Sequence, residues 1–259
     1  MNKSENKIAG SLRAPHEIMA DNIAEVNRLI AIHEKLTGKG PGYKSNVEVL
    51  NKSCTVLLVA CWEAFVEDMA ENAFRILFIN ARDPNLFPKG VLVGAARKLR
   101  ESKDEGAVWK LAGDGWKKVL GDYKQEVIKR HCGTLNTPKP DQVNSLFAHL
   151  LGIKHLSSHW HWLGVSADKA KKKLEELVEL RGAIAHRVKV NRKVYKHEVR
   201  SYTLFINRIA METSNAVGKF IFEKTKHWPW PQYVLRSNRP KPIPKSDSDK
   251  PLTDPSPTV

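Results

Sequence analysis

Cysteine is scarce in this chain of 259 residues. The three present, Cys54, Cys61 and Cys132, are odd in number and form no Cys-x-x-Cys pair. A disulfide scaffold and a cysteine-based zinc site are therefore excluded as organising features, and reduced thiols in a cytoplasmic protein are expected. Long apolar runs are also missing. Nothing approaches the roughly 18 residues needed to cross a bilayer, and Met1 to Arg13 lacks the apolar core of a secretory signal, so no membrane partner is expected. The chain contains no His-Glu-x-x-His, and Gly38-Lys-Gly-Pro-Gly42 lacks both the Gly-Lys-Ser/Thr ending and the preceding strand of a phosphate loop. His155 and His159 have helical spacing, with His149 and His161 nearby, but no carboxylate lies between them and Trp160 and Trp162 interleave. No metal and no cofactor is expected. Alternating strand patterns are nearly absent too; Val188, Val190 and Val194 make one short exception.

What is abundant is positive charge. Lys and Arg number 43 against 28 Asp and Glu, a net charge of +15. That excess points to a polyanion, with nucleic acid as the first candidate. Apolar residues make up 41 %, enough for a packed core, which separates the chain from disordered polycations. The last 24 residues, Arg236 to Val259, hold six prolines and only Ile243 and Leu252 as large apolar residues. Such a segment cannot offset its ordering entropy and reads as a disordered tail. Residues 1–235 then form one helical domain and 236–259 the tail. His227 to Tyr233 is too aromatic to dangle and should pack on the body.

Helical periodicity dominates the domain. Pro15 to Leu36 places Ile18, Ile23, Val26, Leu29, Ile30 and His33 near one face, with Pro15 suited to a first turn. Ser45 or Asn46 can cap a longer helix reaching Asn80. Val91 to Arg100 and Val108 to Arg130 also read as helices, as does Asp141 to Gly152. Ser166 caps the next, through Leu174, Leu177, Val178, Arg181 and Ala185. The last runs from Glu198 to Thr225. The fold class is all-α, a bundle of long antiparallel helices with short inserted ones.

Chemistry concentrates in Glu179-Leu-Arg181-Gly-Ala-Ile-Ala-His186-Arg187. Arg181 and His186 are separated by about 140° of helical rotation and about 7.5 Å of rise, with small Gly182, Ala183 and Ala185 between them. A guanidinium matches phosphate oxygens and never loses its charge. An imidazole titrates near neutrality and transfers protons. Together they suit cleavage of a phosphodiester. The basic residues that follow, Arg187, Lys189, Arg192, Lys193 and Lys196, are candidate RNA contacts, and Tyr195 offers a stacking surface.

Arg181-Gly-Ala-Ile-Ala-His186 resembles the Arg-x4-6-His motif of HEPN-superfamily domains. It lies late in a helical domain, on a helix opened by a charged run and followed by one more long helix. Cys61-Trp-Glu-Ala-Phe-Val-Glu-Asp68, Thr137-Pro138 with Val143-Asn-Ser-Leu-Phe147, and Leu180 to His186 are similar to the RiboL-PSP-HEPN subgroup, over roughly residues 20 to 225. The resemblance implies a metal-independent endoribonuclease. It would act as a homodimer whose two Arg–His motifs face one cleft, and would leave 2′,3′-cyclic phosphate or 3′-phosphate ends beside 5′-hydroxyl ends. Arg181 and His186 become the catalytic pair. Gly182 stands where many members carry a polar residue. Glu63, among apolar neighbours, is the candidate carboxylate turned toward the motif from the early helix. The resemblance also implies a bacterial toxin–antitoxin or anti-phage setting, with an antitoxin or defence protein as a further partner. The alternatives are a helical module that holds RNA or nucleotide without cutting it, and a helical adaptor for a protein partner.

Overall fold

The computed structural model describes residues 15–38, 47–101, 104–132, 135, 137–187, 192–236 and 239–242. For Lys98, His131, Arg187, 234–236 and 239–242 only the backbone is described. Among these residues are seven α-helices: α1 Pro15–Thr37, α2 Glu48–Asn80, α3 Lys89–Arg100, α4 Gly115–Cys132, α5 Pro140–Leu151, α6 Ala167–Arg187 and α7 Lys196–Thr225. Short 3-10 turns occupy Pro84–Leu86, Glu105–Leu111 and Leu156–His159. The all-α class holds. The one addition is a two-stranded antiparallel hairpin, β1 Tyr233–Arg236 with β2 Arg239–Pro242.

Helix α2 is the axis of the molecule. Its buried residues run from Asn51 and Cys54 through Trp62, Phe65 and Met69 to Phe74 and Leu77, on more than one face. A helix apolar all round belongs inside a core, and α1, α6 and α7 pack along it, with α4 and α5 against its remaining surface. No unbroken apolar run of 18 residues exists, yet one 18-residue window of α2 averages a mean hydropathy of 1.5. By length and composition α2 could cross a membrane; here half of that window is buried within the bundle.

Helix ends follow local chemistry. Pro140 opens α5 and Gly152, in the left-handed region at φ +88°, closes it. The Lys169 amide donates to Ser166 Oγ at 3.3 Å, the expected cap of α6. Ser45 and Asn46 lie outside the described residues; the residue preceding α2 is Val47, which supplies no side-chain cap. The helix expected over Val108–Arg130 is instead split. The chain turns at Ala112-Gly113-Asp114, with Gly113 at φ +57°. Gly115 then approaches the Lys110 carbonyl so closely that a Cβ would lie 2.1 Å from its oxygen. Only glycine fits there.

The aromatic segment before the tail does pack back. Trp230 Nε1 donates to the Ser214 carbonyl at 3.1 Å, in the space left by Gly218. Trp228 stacks on Phe222 with ring centroids 4.5 Å apart. Asn215 bonds both backbone groups of Tyr233, at 2.8 and 3.0 Å. This anchor presents β1 for pairing, so residues 239–242, which composition assigned to the tail, form a strand; residues 243–259 lie outside the described residues.

At one end of the bundle, Asn51 Nδ2 donates to the Val194 carbonyl at 2.9 Å and so ties the segment before α7 to the start of α2. Glu34 on α1 accepts from Lys196 at 3.3 Å and from Arg200. These bonds fix the start of α7 relative to α1 and α2.

The surroundings of the glycines give a paired stability test. Gly115→Ala should lower stability by about 1–3 kcal/mol through overpacking. Gly90→Ala, in α3 with nothing within 4 Å of its added Cβ, should be neutral or stabilising by up to about 1 kcal/mol. Urea unfolding of both variants checks this; equal midpoints would contradict the close approach.

Candidate active site

The apolar stripe of α6 is Ala170, Leu174, Leu177 and Ile184, all buried. Spacing by three and four residues puts Arg181 on the same stripe. A guanidinium therefore occupies a position the periodicity reserves for an apolar side chain. Its side chain retains 28 % exposure. Its Nε is enclosed and has no hydrogen-bond partner. Facing it from α2 is Glu63, with Oε2 3.9 Å from Arg181 Nη2. That separation is an ion pair but is longer than a charge-assisted hydrogen bond.

Trp62 explains why Glu63 points there. The indole is fully buried and its Nε1 donates to the Pro138 carbonyl at 3.0 Å. With Trp62 locked inward, the next residue lies about 100° further round α2, toward α6. The same bond holds the Thr137-Pro138-Lys139 loop at the site. Lys139 Nζ then reaches Glu179 on α6 at 2.8 Å. The three stretches that resemble the RiboL-PSP-HEPN subgroup thus converge: residues 61–68 on α2, the loop opening α5, and 180–186 on α6. Lys139 does not stand out in the sequence; its one signal is the pair of prolines holding it in a rigid loop.

His186 is exposed on the penultimate residue of α6. Among the described residues it makes no hydrogen bond and no ion pair, with Arg181 and Glu63 included. Gly182 has nothing within 4 Å of a built Cβ, so the helix surface beside His186 is open.

The basic run reads differently in three dimensions. Arg192 pairs with Glu198, whose second oxygen accepts the Tyr195 amide at 2.9 Å. Lys196 and Arg200 are committed to Glu34. Lys193 is exposed. Lys189 and the Arg187 side chain lie outside the described residues. Two of the expected RNA contacts, Arg192 and Lys196, therefore already serve internal ion pairs, because α1 and α7 supply carboxylates that the linear sequence places far away or on the next helical turn.

Carboxylates crowd α2 next to the site. Burial pushes Glu63 up, against the opposing pull of Arg181. Burial also raises Glu67, with Glu63 and Asp68 adding to it, and raises Asp68, with Glu71 adding to it. The Cys132 thiol is pushed up to about 12 by burial and by Glu67, Glu71 and Asp68. Burial takes Cys54 to about 11. Neither thiol is a nucleophile near neutral pH. The histidines between positions 149 and 161 are dispersed: His159 lies in a 3-10 turn rather than an α-helix, and no group of three candidate metal ligands occurs among the described residues.

The comparison with known families agrees with this geometry. The RiboL-PSP-HEPN family model matches residues 20–219, and the chain belongs to that family. No curated protein and no solved structure matches it. Membership carries a general expectation of nuclease or other RNA-related function.

The raised carboxylates make a pH-dependent prediction. Folded Glu67 holds its proton to higher pH than the unfolded chain, whose value is near 4.5. Stability is lost as pH rises from there through the raised folded value. Glu67→Gln removes that loss. It should raise the Tm at pH 7 and leave it little changed near pH 4, as read by thermal melts at both pH values. A gain equal at both would contradict the assignment.

Proposed function

We propose that this protein is an endoribonuclease that cleaves RNA by attack of a ribose 2′-hydroxyl on the adjacent phosphorus. The observation that carries the reading is Arg181. A permanently charged side chain sits on the buried stripe of α6, opposite a single carboxylate held too far for a direct hydrogen bond. A purely structural pair would close to a bidentate contact near about 2.8 Å. Glu63 instead holds the guanidinium in place without saturating it, which leaves donors for phosphate oxygens.

In the reaction the 2′-oxygen forms a bond to phosphorus, the bond from phosphorus to the 5′-oxygen breaks, and the products are a 2′,3′-cyclic phosphate and a 5′-hydroxyl. The 2′-hydroxyl proton leaves and the 5′-oxygen gains one. His186 serves one of these transfers. Arg181 stabilises the charge that builds on the non-bridging oxygens. Glu63 is a positioning residue for Arg181. Because Arg181 and His186 leave α6 on different faces, one chain supplies a sparse site. A homodimer packed over the open surface at Gly182 would bring a second imidazole and guanidinium to the same cleft. The reaction as proposed needs no metal. A cytoplasmic toxin or anti-phage role, with an antitoxin or defence protein as partner, rests on the family resemblance alone.

A second reading has one observation in its favour: within a chain His186 touches neither Arg181 nor Glu63. A module that grips RNA without cutting it would need only the guanidinium.

Purified protein incubated with mixed RNA in EDTA separates the two. Cleavage should persist under chelation and leave cyclic phosphate ends. His186→Ala should slow it at least about 100-fold, and Arg181→Lys should also fail, since an ammonium lacks the planar fork. Bound but intact RNA would favour the module, and cleavage unaffected by both substitutions would sink the assignment of the site.

A further inference from the structure

A second feature of α6 is not used by the proposed chemistry. Lys169, Lys172 and Lys173 share one face of the helix, and with His197, Ser201 and Tyr202 of α7 they line an open cleft of about 390 Å³. We propose that this cleft is a binding site for a single strand of RNA, with lysines on its phosphates and the Tyr202 ring beside a base.

The interior of the cleft is built before any ligand arrives. Lys173 Nζ donates to Ser201 Oγ at 3.1 Å. It also stands 5.7 Å from the Tyr202 ring centroid and 5.1 Å from that of Phe205. That cation lies over aromatic faces, with Glu176 of the same cleft close enough to act on it electrostatically but not in a salt bridge. Lys169 and Lys172 are exposed and have no ion-pair partner among the described residues. Of the two carboxylates at the rim, Glu198 is occupied by Arg192 and the Tyr195 amide, and Glu176 is exposed. At the mouth, the rings of Tyr195 and His197 stack with centroids 5.6 Å apart. Free ammonium groups beside aromatic rings are the combination that holds a single strand without reading its sequence.

The placement also fits. Lys172 precedes His186 by 14 residues on one continuous helix, about 21 Å along its axis. The lysine face lies about a quarter turn round α6 from His186. A stacked strand rising about 3.4 Å per nucleotide covers that distance in about six nucleotides. Among the described loop positives, Arg192 and Lys196 are engaged with Glu198 and Glu34, whereas Lys169 and Lys172 on α6 have no ion-pair partner among the described residues. The proposal rests on the reading of this protein as RNA-acting, but not on its cutting RNA.

The test uses the full chain and a labelled 12-nucleotide 2′-O-methyl RNA, which lacks the attacking hydroxyl and stays intact. Fluorescence anisotropy over a salt series should show binding by the native protein. The Lys169→Ala/Lys172→Ala double variant should bind at least about 10-fold more weakly. Its slope of log affinity against log salt should be shallower by about 1.4, about 0.7 for each phosphate that is no longer neutralised. The double arginine variant should retain binding, and circular dichroism should confirm that each variant folds. Unchanged affinity and slope in the alanine variant, or no binding by the native chain, overturns the proposal. AMP that occupies the cleft while the oligonucleotide binds independently of the lysines overturns it too, in favour of a free-nucleotide site. Cleft-dependent binding without cleavage of unmodified RNA would remove the nuclease reading and leave this site standing.

Discussion

The arrangement of the site depends on one constraint: a guanidinium on the buried stripe of α6 must have a partner. An unpaired charge at such a position would cost several kcal/mol. Glu63 supplies the counter-charge from α2, at a distance that stabilises without capturing. For Glu63 to be there, α2 must be rotated correctly about its axis. The buried Trp62 and its bond to the Pro138 carbonyl set that rotation. The same bond seats the loop before α5, and Lys139 then pins the loop to Glu179. Two ion pairs and one hydrogen bond therefore tie together three segments that are distant in sequence.

The remaining charge is arranged around that constraint. A chain of net charge +15 cannot pair every cation, and which ones it leaves free is decided by the neighbouring helices. Glu34 on α1 takes Lys196 and Arg200, and Glu198 takes Arg192. The bonds to Glu34 hold the start of α7 against α1. The lysines of α6 that face the cleft gain no comparable partner. Lys169 and Lys172, on the helix that carries Arg181 and His186, are accordingly exposed cations without an ion-pair partner among the described residues.

Much of the fold was legible because apolar spacing by three and four residues has few physical interpretations. The expected spans for α1, α5, α6 and α7 agree with the observed helices to within about two residues, since Pro15, Pro140, Gly152 and Ser166 mark ends by well-understood local chemistry. The break at Ala112-Gly113-Asp114 was not legible. Three glycines within the stretch lowered its helical preference, but only the packed chain shows that Gly115 meets the Lys110 carbonyl. The hairpin was missed for a related reason. Composition described 236–259 as unable to order itself, whereas Asn215 and Trp230 supply the order from outside the segment. Glu63 was accessible as a candidate because a carboxylate among apolar neighbours on a core helix requires a partner.

The sequence by itself determined which residue types stand at which helical positions: a charge at Arg181 on an apolar stripe, a titratable imidazole five residues later, small residues between them, and a surplus of lysine and arginine. Those are properties of one chain read along one helix. Only the tertiary structure decided which charges neutralise one another, because Coulombic pairing depends on a few ångströms between side chains that the sequence separates by tens or hundreds of residues. Glu34 with Arg200 and Glu63 with Arg181 are such pairs, and each removes a cation from the charge that the surface can offer.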